Sequence, residues 1–162
     1  VECLNTTEVT SMRLAFRDQF SFNGDLGLWD TSKVTSMSFM FYGASSFNQP
    51  LDNFNTSQVI DMSDMFEEAS SFNQGLDNFD TSQVTDMQFM FYGASSFNQA
   101  LDSFNTSNVE NMSFMFEEAS SFNQCISNWD VDQANRNDML FLSGCSDTST
   151  TLPFQGCSCP PP

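Results

Sequence analysis

The residues of this chain best suited to covalent chemistry are five cysteines, and all lie towards its ends: Cys3, Cys125, Cys145, Cys157 and Cys159. Such a set forms disulfides in an oxidising compartment or binds a soft metal. No histidine is present to fill out a zinc ligand set, so disulfides are the expectation. Carboxylates are the second chemical resource. Asp52, Asp77 and Asp102 recur at even spacing, as do Asp30, Asn55, Asp80, Asn105 and Asp130. Rows of oxygen ligands suit Ca²⁺, which takes about 6–8 of them. The expectation is a solvated acidic face without a cofactor, with Asp52, Asp77 and Asp102 as the residues that would hold Ca²⁺ if any were bound. Four sequons offer asparagines for N-glycosylation: Asn5, Asn55, Asn105 and Asn111. Catalysis has few parts to work with. There is no histidine base, no Gly-rich phosphate loop and no nucleophile motif. Glu67-Glu68 and Glu117-Glu118 imitate a carboxylate pair, but adjacent helical side chains diverge, so no enzyme is expected.

The elements that hold these residues come from a repeat. Ala-Ser-Ser-Phe-Asn-Gln occurs at 44–49, 69–74, 94–99 and 119–124, each 25 residues after the last. Each copy continues through a leucine (Leu51, Leu76, Leu101) to an aromatic (Trp29, Phe54, Phe79, Phe104, Trp129). Asp or Asn with Thr-Ser follows, then a valine and a Met-x-x-Met-Phe segment. Phe-Tyr-Gly-Ala at 41–44 and 91–94 alternates with Phe-Glu-Glu-Ala at 66–69 and 116–119, so the larger unit is 50 residues.

Within one copy Met37, Met40, Phe41, Ala44 and Phe47 fall on one face of a short helix. Ser11, Ser36, Asp61, Asp86 and Asn111 stand before these runs as N-caps. The stretch around Leu51–Phe54 reads as a short strand and Asx-Thr-Ser as a turn. The expected fold is therefore an α/β repeat solenoid: a leucine-rich-repeat-like, right-handed stack of about five to six coils, each a short strand plus a short helix. Stacking at about 4.8 Å per coil gives a height of roughly 25–30 Å. The recurring Asn23, Asn48, Asn73, Asn98 and Asn123 are expected to form an inward-facing asparagine ladder. Phe39, Phe89 and Phe114, with Tyr42 and Tyr92, form either an exposed aromatic stripe or extra core volume on the helix flank.

The unit Trp/Phe-Asp-Thr-Ser-x-Val-x-x-Met-x-x-Met-Phe-x-x-Ala-x-x-Phe-Asn-Gln resembles the BspA-like leucine-rich-repeat surface proteins over about residues 9–142. That resemblance implies a secreted or surface-anchored protein with adhesion or matrix roles. It supplies no catalytic residues.

Residues 1–142 are expected to form the solenoid, with a degraded first copy at about 9–33 and a capping copy at about 129–142; 143–162 is a Cys/Ser/Pro-rich tail. Cys125 and Cys145 suit a bridge between neighbouring coils. Cys3 belongs at the opposite end of the stack from Cys157 and Cys159, and the odd cysteine count needs an outside partner. Head-to-tail pairing of Cys3 with Cys157 or Cys159 of the next subunit would give an open filament. A net charge of −17 with four basic residues excludes a basic footprint for nucleic acid, and no apolar run reaches the roughly 20 residues of a transmembrane helix. The start at Val1 suits a processed or excerpted chain. Two functions follow: a subunit of an extracellular, glycan-bearing head-to-tail filament, or a monomeric surface module that binds a host protein or glycan.

Overall fold

The computed structural model describes residues 5–131 and 134–145, and within them the chain winds into six stacked coils. Isolated parallel bridges tie each coil to the next: Ser11 to Ser36, Ser36 to Asp61, Asp61 to Asp86, Asp86 to Asn111, and Asn111 to Asn135. The described residues contain no α-helix and no extended strand. The expectation of an α/β, leucine-rich-repeat-like fold built from strand-plus-helix coils is therefore wrong.

The reason lies in where the amide protons go. A helix would send each N–H back four residues. Here alternate amides leave the coil: Met37, Phe39, Phe41 and Gly43 donate to the carbonyls of Asp61, Ser63, Met65 and Glu67 at 2.8–3.0 Å. The amides between them close tight turns, Met40 onto Met37, Tyr42 onto Phe39 and Ala44 onto Phe41. Such a train of turns buries the same i, i+3, i+4, i+7 positions as a helix. The run Met37, Met40, Phe41, Ala44 and Phe47 is therefore fully buried without being helical. The stretch read as a strand is also a turn, with Phe54 N–H bonded to the Leu51 carbonyl.

Alternating hydrogen bonds demand left-handed backbone at two places per coil. Leu14, Phe39, Asp64, Phe89, Phe114 and Asp138 share one such position, with φ between 50° and 66°. Asp18, Gly43, Glu68, Gly93, Glu118 and Leu142 share the other. Left-handed backbone costs a residue with a Cβ roughly 1–2 kcal/mol. The Phe-Tyr-Gly and Phe-Glu-Glu alternation is thus an alternation between relaxed and strained coils.

The predicted N-caps occupy the bridge row instead. Their side-chain oxygens still take an amide, but from two residues on: Ser63 N–H to Asp61 Oδ1 at 3.0 Å and Gln88 N–H to Asp86 Oδ1 at 2.9 Å.

The core is a double column of phenylalanines. Within a coil the two rings stack at 3.9–4.1 Å, as in Phe41 on Phe47 and Phe116 on Phe122. Between coils the same columns repeat at 5.4–6.0 Å. Methionines, valines and leucines fill the remaining space.

Candidate functional site: ladders and the two ends of the stack

Three side-chain ladders run along the stack. In the first, Oδ1 of Asn23, Asn48, Asn73 and Asn98 accepts the backbone N–H of Asn48, Asn73, Asn98 and Asn123, each at 2.9 Å. These asparagines are half-buried or exposed, less enclosed than a fully internal ladder. Gln74, Gln99 and Gln124 brace it by donating Nε2–H to the oxygens of Asn48, Asn73 and Asn98. The repeat marks these glutamines, since Gln follows the ladder asparagine in each copy after the first, where Gly24 stands instead.

Buried threonines make the second ladder. Thr31 Oγ1 accepts the amide of Asn55 at 2.7 Å and donates to the carbonyl of the same residue at 3.0 Å. Thr81 treats Asn105 in the same way. The third ladder uses surface amides: Asn78 Nδ2 donates to the carbonyls of Leu51, Asp52 and Phe54, closing the turn of the coil before it.

Asn5, Asn55 and Asn105 are exposed and stand at equivalent places in alternate coils. In each the Oδ1 accepts both the amide and the hydroxyl hydrogen of the residue two places on, Thr7, Ser57 or Ser107. Asn111 is different. It sits in the bridge row, half-buried, with Nδ2 donating to Gln88 Oε1 at 2.9 Å.

Asp52, Asp77 and Asp102 are exposed, and among the described residues no group of three carboxylates or cysteines converges as a metal site would require. The acidic residues that do meet are Asp64 and Glu67. Asp64 replaces the aromatic of its row and is buried. Its side chain is hydrogen-bonded to Glu67, whose pKa is pushed up to about 8, first by burial and then by Asp64, against the pull of Arg17. Burial raises Asp64 as well. The two carboxyls are arranged to share a proton. Asp86 and Glu117 are also raised, chiefly by burial. Adjacent Glu67 and Glu68 do not form a pair, since Glu68 faces solvent.

The aromatic row is half-buried. Phe89 stacks on Phe114 at 4.8 Å, while Phe39 and Tyr42 lie under the guanidinium groups of Arg13 and Arg17 at 4.9–5.7 Å.

Cys125 and Cys145 are disulfide-bonded, joining the last two coils. Cys3, Cys157 and Cys159 lie outside the described residues, as does the tail from 146 on; the last backbone rung runs from Gly144 N–H to the Ala119 carbonyl.

The ends differ from the middle. At one face the carbonyls of Ser11, Arg13, Ala15 and Arg17 occupy the places that in every later coil accept a rung, yet accept none among the described residues. At the other face the amides of Arg136, Asp138, Leu140 and Leu142 occupy the places that donate a rung, and donate none among the described residues. Arg136 Nη1 is shielded there and has no hydrogen-bond partner among the described residues. Four of the five large apolar side chains exposed among the described residues are in the two terminal coils: Leu28 at 91%, Phe20 at 63%, Leu142 at 57% and Phe141 at 49%.

Comparison with known proteins gives one family. The model of DUF285, described as a Mycoplasma protein of unknown function, matches residues 1–79 and 49–151. The chain belongs to DUF285. No curated protein and no solved structure matches it. The two DUF285 matches overlap in 49–79, as expected when a model of several coils fits a regular stack in more than one register. The resemblance to BspA-like proteins survives as likeness to a repeat family, without the leucine-rich-repeat fold. The DUF285 description assigns no role to any residue, so function must be argued from the coils themselves.

Proposed function

We propose that this chain is an extracellular structural subunit that stacks head to tail into a filament. The observation that carries the reading is the match between its ends: among the described residues, four carbonyls on the first coil accept no rung and four amides on the last donate none, at equivalent places. Placing the first coil of one copy on the last coil of another sets Ser11 beside Asn135 and continues every rung. An open edge of backbone carbonyls or amides is a ready template for pairing with another chain. A contact of this kind does not close on itself and so grows into an open fibre.

Other features support the same reading. Apolar side chains are exposed at the ends, as an interface between copies requires. The Cys125–Cys145 disulfide suits an oxidising, extracellular setting, as does the resemblance to surface proteins.

Analytical ultracentrifugation of the full chain across a concentration series tests this. Growing, open-ended oligomers are expected. Phe20→Glu with Phe141→Glu places charge on both ends without touching the core, and should return the chain to monomers with an unchanged melting temperature. A wild-type chain that stays monomeric at high concentration overturns the proposal and favours a monomeric binding module.

A further inference from the structure

We infer that Asn5, Asn55 and Asn105 carry N-linked glycans, in a single row along one edge of the stack, and that Asn111 does not. All four belong to Asn-x-Ser/Thr sequons. The sequence does not distinguish them, but their surroundings do.

At Asn5, Asn55 and Asn105 only the Oδ1 is engaged, by the amide and hydroxyl of the third sequon residue. The Nδ2, the atom that would carry a sugar, makes no hydrogen bond among the described residues, and the side chain is exposed. A glycan can therefore extend into water with the turn beneath it intact. At Asn111 the Nδ2 is committed to Gln88 Oε1 and the Oδ1 to Ser113, within the half-buried bridge row. A sugar there would break a cross-coil bond and collide with the stack.

The spacing also suits bulky substituents. The glycan positions alternate with Asp30 and Asp80, which make the same turn with Ser32 and Ser82 but offer no amide nitrogen. Skipping one coil sets the attachment points about 10 Å apart rather than about 5 Å. The 50-residue pair thus gives one glycan to every second coil.

The donor would be an oligosaccharide linked through pyrophosphate to a polyprenyl lipid, handled by a membrane-bound transferase. The asparagine Nδ2 attacks C1 of the first sugar and a C1–N bond forms. The C1–O bond breaks, its electron pair leaving with the lipid pyrophosphate, and the amide proton passes to a base on the transferase.

The inference rests on the extracellular part of the proposed function and not on polymerisation. Its test is glycopeptide mapping of the chain isolated from its source cells, before and after a glycoamidase. Sugar at Asn55 and Asn105, with Asn5 alongside them and Asn111 bare, is the expected result. Unmodified Asn55 and Asn105, or an occupied Asn111, overturns it. Unglycosylated chain produced in bacteria still reports on filament formation, so failure of one idea is distinguishable from failure of the other.

Discussion

The third coil and the first are built from the same repeat, yet they are held very differently. In the third coil the asparagine ladder and the aromatic column continue on both sides: Asn73 accepts from Asn98 and Gln99 and donates its amide to Asn48, and Phe72 stacks against Phe47, Phe66 and Phe97. In the first coil Asn23 is exposed and accepts one bond, and the nearby Phe20 is mostly in water. A repeat stack derives its stability from neighbours, so an end coil has half the neighbours and carries the open surface.

The largest effect that tests this contrast is at the core aromatics. Phe72→Ala should cost about 3–5 kcal/mol, because it empties a ring-sized volume between two coils. Phe20→Ala should change stability by less than about 0.5 kcal/mol. Equal losses in urea unfolding would break the comparison. Next in size is the clamp at the other end. Replacing Cys125 and Cys145 by serine should cost about 3 kcal/mol, and hydrogen exchange should show the last coil loosening first. The asparagine ladder comes third. Asn73→Ala strands the amide of Asn98 and should cost about 1–3 kcal/mol, with Asn23→Ala costing visibly less. The smallest effect separates the two coil types. Glu68→Gly relieves left-handed strain that Gly43 and Gly93 already avoid, and should stabilise by about 0.5–1 kcal/mol in the same assay.

Acidity sharpens the picture of the middle coils. Glu67 binds its proton more tightly folded than unfolded, so its contribution is fully present below its unfolded value near 4.5 and is lost as the pH rises through about 8. Asp30 and Asp80 are held below their ordinary value by the hydrogen bonds of Ser32 and Ser82, so their contribution is present above about 4 and lost in stronger acid. The melting temperature should therefore peak in mild acid and fall on both sides. Glu67→Gln should flatten the alkaline limb, and an unchanged limb would contradict the shared proton.

Much of this organisation was legible in the residues. The period named the core, since Val34, Met37, Met40, Phe41, Ala44 and Phe47 and their equivalents in the next three coils are buried as expected, while those of the first coil are only partly so. It also aligned the asparagines. The backbone was misread because a train of turns and a helix bury the same spacing. The deciding feature, left-handed φ at Phe39, Phe89 and Phe114, falls on residues that rarely adopt it and so leaves no mark in composition. Gly43 and Gly93 were the visible trace. Ser36 and Asp61 look like helix caps because a cap and a bridge-row turn use a side-chain oxygen alike. The complementary ends could not be read at all, being made of backbone groups that every residue possesses.

The most direct measurement of the central claim is cryo-electron microscopy of the full-length chain at high concentration. Six coils per subunit predict filaments with an axial rise of about 29 Å per copy and unbroken rungs, Ser11 of one copy beside Asn135 of the next. Separate short rods, or fibres joined side to side, would contradict it.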